Sequence, residues 1–421
     1  MKITTTLLLF LLISLSTICC SSYEGNGFPL KLISEEREIE LGKLYLPASI
    51  DEFEGIYPEE EVQNYLSSIG KRLSQKAQRK MDYHFYLVNS NIVNAFALPG
   101  GPIVITRGIL LTLEEEDELA GILGHEIGHI EKRHHARFVE KQLAMNLILQ
   151  IGSFLLPQNL TGEILFQLSK VSAGLLSLKF SRDQEREADE SAFFLLINTN
   201  YSPEGMLKVF ERFKKMEKSR PPEWLSTHPL PESRIKSWQE KIAQHKLTGP
   251  YIKNTAKFDE IKKMILQTKP SFDEFEKGKK AYKERDYEKA EKHFEKALEL
   301  YPKNVPALIY LSRINLKERD YPSARDYAFR ALKLNPELFS AHYLCGLSEF
   351  GLQNWERSLA YFEKAKKLIP FEGSVYYYLG RNLENLGRLT TAKDNYQKAL
   401  EIGPKDAPWY EDCYRRYNRL K

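Results

Sequence analysis

Residues 287–304 read YEKAEKHFEKALELYPKN, and this stretch decides the fold of the C-terminal part of the chain. Its residue types return along the sequence at a fixed interval of 34 positions. The recurring prolines are Pro302, Pro336, Pro370 and Pro404, and the recurring alanines are Ala297, Ala331, Ala365 and Ala399. A fixed interval of this length predicts stacked helical units, each of which buries its apolar face only against its neighbours.

The interval and the small residues resemble the tetratricopeptide repeat. The resemblance implies an α-solenoid of four units, followed by a capping helix that covers the last apolar face. The units span 271–304, 305–338, 339–372 and 373–406, and the capping helix spans 407–421. The concave face of such a stack binds peptides or protein segments, and the alternative is an intramolecular brace against the rest of the chain.

The first 22 residues differ from the rest of the 421-residue chain. They contain Lys2, a short apolar run and then small residues, which predicts a secretory signal peptide over 1–22 and an exported protein. Cys20 stands where a lipoprotein signal has its lipidated cysteine. Lipidation of Cys20 and plain cleavage near Ser22 both fit this stretch.

The bulk composition is that of a folded, soluble protein, with 42% hydrophobic and 28% charged residues. The net charge is only +4, and no basic block is interleaved with aromatic residues, so nucleic acid is not expected as a partner. Only Cys345 and Cys413 follow the signal region, which excludes a framework of several disulfide bonds.

Residues 23–250 predict a mostly helical domain with one small β-sheet. The segments 83–90 and 102–111 alternate and carry Val, Ile and Tyr, as strands do. The stretch 143–180 is apolar but interrupted by polar residues, which fits a core helix pair or a segment that faces a membrane or covers a cleft. The charged stretch 251–270, bounded by prolines and partly helical in its pattern, predicts a linker.

The stretch LAGILGHEIGHIEKRHH, residues 119–135, contains two histidines four positions apart on a predicted helix. This spacing puts His125 and His129 on the same face, one turn apart, where both rings reach one metal ion. Glu126 lies on the adjacent flank and is close enough to accept a proton from a water at the metal. The motif therefore predicts a zinc site with its own general base.

A catalytic zinc needs a third protein ligand. His134 and His135 come too soon after the motif, and at least one of them should face away from the metal. The helical stretch SRDQEREADESA, residues 181–192, offers Glu185 as a ligand and Asp189 as a residue that holds one of the histidines. The alternative for this stretch is a solvated, salt-bridged helix.

Four segments in this order resemble the M48 family of zinc metallopeptidases. They are NAFALPGGPIVITRGIL at 94–110, HEIGH at 125–129, SRDQEREAD at 181–189 and STHPLPESRI at 226–235. The resemblance covers most of residues 30–240. It implies a zincin-like helical domain, within a mostly α (α+β) protein, that holds one Zn²⁺ per chain.

The resemblance also assigns roles to individual residues. It implies the zinc ligands His125, His129 and Glu185, the catalytic base Glu126, the supporting residue Asp189, and a substrate-pairing strand with Asn94, Ala95 and Phe96. By the same resemblance, His228 occupies the fourth zinc position and keeps the site latent, or else is an ordinary loop residue. Arg234 either steadies an oxyanion or anchors its helix.

The signal peptide and the repeats point to the periplasmic subgroup of this family, which acts in quality control of outer-membrane proteins. The expected function is cleavage of unfolded or misassembled proteins, with the repeats recruiting clients or the outer-membrane assembly machinery. A membrane surface is a further expected contact. The alternative is a chaperone or assembly factor whose protease site is mostly latent. A purely structural zinc site would have no use for Glu126.

Overall fold

The computed structural model describes residues 33–141 and 178–420, apart from 218, 220, 246 and 248. The predicted signal peptide, Cys20 and nearly all of the apolar stretch 143–180 lie outside the described residues. Among the helices of the described ranges, none is both long enough and apolar enough to cross a membrane.

The first part of the chain folds into helices around a three-stranded sheet. Its elements are α1 (Glu35–Glu52), α2 (Glu60–Ser74), β1 (His84–Val88), β2 (Ala95–Ala97), β3 (Pro102–Thr106), α3 (Arg107–Thr112), α4 (Glu116–Glu131), α5 (Arg182–Asn198), α6 (Glu204–Met216), α7 (Trp224–Thr227) and α8 (Glu232–His245). The strand order is β1-β3-β2, and β3 runs parallel to β1 and antiparallel to β2.

The turn between β2 and β3 uses Pro99, Gly100 and Gly101 because the chain reverses there close to another backbone. Gly100 has a φ of +75°, and a Cβ atom on it would lie 2.6 Å from the carbonyl oxygen of Glu38. Only glycine combines this left-handed conformation with so close a contact. The turn therefore fixes β2 as the outer strand beside α4.

Helix α4, which carries the HEIGH motif, runs through the centre of the first domain. Every residue from Glu116 to Ile130 is buried. The helix packs closely on α5, since a Cβ atom on Gly128 would lie 2.7 Å from the carbonyl oxygen of Ala188. This close approach brings the α5 side chains within reach of the motif.

The C-terminal part consists of antiparallel helix pairs. Its helices are α9 (Ala256–Lys283), α10 (Tyr287–Leu300), α11 (Val305–Glu318), α12 (Tyr321–Leu334), α13 (Phe339–Gly351), α14 (Trp355–Leu368), α15 (Gly373–Asn385), α16 (Leu389–Ile402) and α17 (Tyr410–Arg419). The predicted fold class, a mostly helical protein with a small sheet and helical repeats, is confirmed.

The stretch 251–270 is partly helical as predicted, but it is not a linker, because the part of α9 that it contains is packed into the core of the first domain. Phe258, Ile261 and Ile265 are buried in the core of the first domain, and Phe275 is buried among the repeats. The buried side chains recur every three or four residues, as on any half-buried helix. The charged residues on the opposite face favour a linker in the sequence, but they are simply the solvent-exposed side of this helix.

Candidate metal centre

Four buried side chains from three segments converge on one point. His125 and His129 come from α4, Glu185 comes from α5, and His228 directly follows α7. One ligand atom of each residue lies within 4.8 Å of the ligand atoms of the other three. The residues predicted as zinc ligands are thus brought together, with His228 beside them.

The spacing of these atoms fits a tetrahedral zinc ion. The Nε2 atoms of His125 and His129 are 3.0 Å apart, and His125 Nε2 lies 3.3 Å from His228 Nδ1. Glu185 Oε1 lies 3.0 Å from His228 Nδ1 and 3.5 Å from His129 Nε2. Ligands at about 2.0–2.1 Å from a tetrahedral ion are separated from one another by roughly 3.3 Å. The donor set and its dimensions therefore suit zinc.

The second nitrogen of His125 is held by a charged pair. Its Nδ1 lies 3.0 Å from Asp189 Oδ1. Arg234 binds both oxygens of Asp189 through Nε and Nη2, at 2.8 Å each. The carboxylate beside Nδ1 favours the proton on that nitrogen, which leaves the lone pair of Nε2 directed into the cluster.

The side chain of Arg234 forms buried ion pairs and a hydrogen bond to the backbone. Besides Asp189 it forms an ion pair with Glu185, and it donates to the carbonyl oxygen of Pro229 at 2.9 Å. Its side chain is buried with its guanidinium 4.8 Å from the ring centroid of Phe210. Of the two roles considered for Arg234, we retain the anchoring one.

The protonation of the cluster follows from burial and charge. Burial opposes the charged form of His125, but hydrogen bonds to Asp189 and Glu185 raise its pKa to about 9. Burial lowers the pKa of His129 well below its ordinary value. The pKa of Glu185 is held well below its usual range against burial by the charges of His228 and Arg234. The site thus attracts a positive charge, and a bound cation takes the place of a proton.

Glu126 lies beside the cluster and is fully buried. Its Oε1 accepts a hydrogen bond from Trp224 Nε1 at 3.2 Å, while its Oε2 has no hydrogen-bond partner within the described part of the chain. Burial raises the pKa of Glu126, although the charges of His228 and His125 oppose this rise. One carboxylate oxygen is therefore fixed and the other is available to a proton.

His228 is held in the cluster by the segment that bears it. Its ring stacks on Trp224, with centroids 4.6 Å apart and an interplanar angle of 16°. Its backbone N–H donates to the carbonyl oxygen of Trp224 at 2.9 Å. Trp224 in turn donates its backbone N–H to the carbonyl oxygen of Val93, next to β2, at 3.2 Å.

The comparisons with known proteins agree with this geometry. Residues 60–242 match the model of peptidase family M48. Residues 275–338, 317–373 and 373–406 match models of the tetratricopeptide repeat. The chain carries a peptidase family M48 domain followed by tetratricopeptide repeats. Family M48 consists of zinc-dependent metallopeptidases, which agrees with the predicted cofactor.

The similar curated proteins include beta-barrel assembly-enhancing proteases. That of Yersinia pestis is 30% identical over 229 residues, which are 51% of this chain and 46% of that protein. That of Escherichia coli K12 is 32% identical over 195 residues, 43% of this chain and 39% of that protein. The chain thus spans less than half the length of these relatives. A crystal structure of MamA aligns with a TM-score of 0.33 and 20% identity, over 36% of this chain and 80% of that one.

Two residues of the M48 domain, His134 and Glu187, extend the hydrogen-bond network of the cluster and were not predicted from the sequence. His134 Nδ1 lies 2.8 Å from His129 Nδ1, and His134 Nε2 lies 3.0 Å from Glu187 Oε2. The sequence excludes His134 as a ligand because it follows the motif too soon, and it lies outside the four-residue ligand cluster. Its contact with His129 arises because the motif helix ends before it, at a turn in which Arg133 has a φ of 55°. The sequence gives little sign of this turn, since arginine rarely adopts a left-handed conformation.

The predicted substrate-pairing strand of the M48 domain packs against α4 as β2. The Phe96 ring lies 5.0 Å from the ring of Phe53, within a buried hydrophobic cluster. Asn94 Oδ1 accepts the backbone N–H of Ala95 at 2.9 Å. The side chains of this segment therefore serve the fold, and a role in substrate pairing rests on its backbone and stays a prediction.

Proposed function

We propose that this chain is an exported, zinc-dependent endopeptidase that cleaves misfolded or misassembled outer-membrane proteins, while its repeats bind clients or partners. The observation that carries this proposal is the convergence of His125, His129 and Glu185 within 4.8 Å, with Glu126 at its edge. The outer-membrane clients are inferred from the names of the relatives, which are beta-barrel assembly-enhancing proteases.

In the proposed mechanism, His125, His129 and Glu185 hold the zinc ion. When bound, zinc supplies Lewis-acid polarisation to the peptide carbonyl and to the attacking water. Glu126 takes the proton of that water on Oε2, the oxygen without a hydrogen-bond partner among the described residues. It then passes the proton to the leaving amine. Trp224 holds Oε1 and so keeps Oε2 directed at the reaction.

His228 makes the resting site latent in this proposal. A catalytic zinc keeps one coordination position for water or substrate, and a fourth protein ligand closes it. His228 Nδ1 lies 3.0 Å from Glu185 Oε1 and 3.3 Å from His125 Nε2, within the ligand set. Cleavage therefore requires the segment from Trp224 to His228 to move, which breaks its hydrogen bond to Val93.

The Glu126→Gln variant tests this proposal. It keeps the size of the side chain and the zinc ligands but removes the proton acceptor, so zinc stays bound while cleavage falls at least about 100-fold. The probe is a fluorescently labelled outer-membrane β-barrel protein diluted from urea, and zinc content is measured on the same sample. Wild-type rates of cleavage by Glu126→Gln would refute an endopeptidase of this type.

A second candidate is an assembly factor that binds clients and seldom cuts. Two observations favour it: the presence of His228 in the ligand set and a pair of adjoining cavities of about 480 and 390 Å³ between the repeats and α1. Both cavities are lined by Asp51, Arg313 and Ser340. Rescue of a deletion strain discriminates the two candidates. Full rescue by Glu126→Gln together with failure of Arg313→Glu supports the assembly factor, and the reverse supports the protease.

The location of the protein is part of the proposal. Export to the periplasm rests on the sequence of residues 1–22, and attachment to the outer membrane rests on lipidation of Cys20. Labelling of cells with a palmitate analogue tests the anchor. Wild-type protein should carry the label and sediment with membranes, whereas the Cys20→Ser variant should be unlabelled and not sediment with them.

A further inference from the structure

We propose that His134 and Glu187 are positioning residues that fix the ring of His129 as a metal ligand. They form a relay that starts at a surface carboxylate and ends at the Nε2 atom of His129. This inference rests on the metal site of the proposed function. It adds two residues to that site which act through a ligand and touch neither metal nor substrate.

The direction of each hydrogen bond in the relay follows from its partners. The carboxylate of Glu187 only accepts, so His134 Nε2, at 3.0 Å, carries the proton. In a neutral imidazole the other nitrogen is then an acceptor, and His134 Nδ1 receives the N–H of His129 Nδ1 over 2.8 Å. His129 is left with a bare Nε2, 3.0 Å from the Nε2 of His125. That tautomer is the one a metal ligand needs.

The relay gives His129 the support that Asp189 gives His125. His125 Nδ1 lies 3.0 Å from a carboxylate that is itself bound by Arg234. His129 Nδ1 faces only His134, and its ring otherwise lies against Phe180, with centroids 3.9 Å apart. Metal-bound histidines generally donate their second N–H to a fixed acceptor, which sets the tautomer and the orientation of the ring. Among the described residues, His134 is the hydrogen-bond partner of His129 Nδ1, so without it the second nitrogen of this ring has no fixed acceptor.

A strained turn places His134 for this task. Arg133 has a φ of 55°, which a residue with a side chain adopts only where its surroundings demand it. Its Nε donates to Glu38 Oε2 at 3.0 Å and its Nη2 to the carbonyl oxygen of Ile33 at 2.7 Å. Glu38 is buried and also binds Arg79 through two hydrogen bonds of 2.8 and 2.9 Å. This network holds the turn at Arg133 that places His134 beside His129.

The next residue, His135, is a natural control. It is as buried as His134 and touches the same Phe180 ring, edge-on with centroids 5.2 Å apart. Its Nδ1, however, has no hydrogen-bond partner in the described ranges. Loss of a buried imidazole is thus common to variants of both residues, whereas loss of the acceptor for His129 is specific to His134.

Zinc affinity of the full chain tests the relay directly and does not depend on activity. Zinc dissociation constants are measured by competition with a chromophoric chelator for wild type, His134→Leu, His134→Asn and His135→Leu. We expect His134→Leu to weaken zinc binding by about 10- to 100-fold, as loss of such a supporting residue does. In His134→Asn the side-chain oxygen stands near the former Nδ1 position, so most of the affinity should return.

Two further measurements separate positioning from folding. The thermal unfolding midpoint of the metal-free protein should change similarly in His134→Leu and His135→Leu. Zinc affinity should fall in the first and change less than about threefold in the second. Glu187→Ala should weaken zinc binding, but less than His134→Leu does. Glu190 lies on the same helix and is paired with Lys241, and Glu190→Ala should leave zinc binding unchanged.

The results that overturn the relay are distinct from those that overturn the proposed function. Wild-type zinc affinity in His134→Leu refutes the relay, as does an equal loss in His135→Leu or no recovery in His134→Asn. A wild-type protein that binds no zinc refutes the metal site and the relay with it. Wild-type zinc binding without proteolysis refutes the endopeptidase and leaves the relay standing.

Discussion

His228 Nδ1 lies 3.0 Å from Glu185 Oε1, so a histidine from the end of α7 shares the ligand set of the HEIGH motif. The two residues are 43 positions apart and belong to different helical segments. Glu185 is fixed to a rigid, capped helix, whereas His228 follows a helix of four residues. Of the four members of the cluster, His228 is the one that does not lie within a helix, and we therefore expect it to be the one that moves.

Removal of this histidine should activate the enzyme. If His228 closes the site in about nine molecules out of ten, His228→Ala should raise the cleavage rate of an unfolded client by roughly tenfold. Zinc should remain bound through the other three ligands, with lower affinity. The measurement is the initial rate of client cleavage at equal zinc occupancy.

The matched control is His84→Ala, which removes an exposed histidine of β1 that does not belong to the ligand cluster. It should leave the rate unchanged. An inactive His228→Ala protein with full zinc occupancy would mean that His228 takes part in cleavage, and the latent-site proposal would be abandoned.

Arg234 should dominate the stability of the M48 domain. It neutralises the buried carboxylates of Asp189 and Glu185, and Arg234→Met leaves both without their cation. Removing one partner of such a buried set typically costs about 3–5 kcal/mol in the free energy of unfolding. Urea denaturation of the metal-free protein should show this loss. Arg186→Met is the control, since Arg186 is 63% exposed and pairs at the surface; an equal loss there would contradict the argument.

Asp117 should make stability depend on pH. Burial raises its pKa from 3.8 to about 7, and its two oxygens have no hydrogen-bond partner among the residues described. Because the folded state holds this proton more tightly, the protein loses stability as the pH rises from about 4 to about 7, and no more above that. The loss is at most about 1.4 kcal/mol for each unit of the pKa difference.

Asp117→Asn should remove this slope. Relative to wild type, the variant gains stability across the window and keeps a constant advantage above about pH 7. Urea midpoints of both proteins at about pH 4.5 and about pH 8 measure the difference. Asp183→Asn, at a side chain that is 77% exposed, should show no such gain. A constant difference between Asp117→Asn and wild type at both pH values would contradict the assignment.

The sequence predicted those parts of the site that obey helical spacing. His125 and His129 are four apart, as are Glu185 and Asp189, and each pair lies on one face of its helix. The repeats were also predictable from the sequence, because the interval of 34 positions recurs with the same residue types. These features depend on local geometry, which a sequence encodes directly.

The features that the sequence did not predict depend on tertiary contacts. The turn at Arg133 contains no glycine or asparagine that would predict it, and contacts with Glu38 and Ile33 hold it in place. The His134 contact therefore could not be read from spacing. The helical character of 251–270 was predicted, but the charged face of α9 hid the buried stripe of Phe258 and Ile261, so its packing into the first domain was not.

The docking of the repeats on the first domain should depend on Asp51. This residue, near the end of α1, accepts the backbone N–H and the hydroxyl of Ser340, both at 2.7 Å. Ser340 lies in the first turn of α13, whose own N-cap position is taken by Leu338, so a residue of the M48 side caps a helix of the repeats. Loss of a helix cap costs about 1 kcal/mol. Asp51→Ala should therefore lower stability by that amount and speed hydrogen exchange at the start of α13.

Asp320→Ala removes a cap within the repeats, where Asp320 accepts the N–H of Ser323 at 3.2 Å. It should cost a similar free energy but leave exchange at Ser340 unchanged. Equal protection of Ser340 in wild type and Asp51→Ala would show that the two parts are held together without this cap.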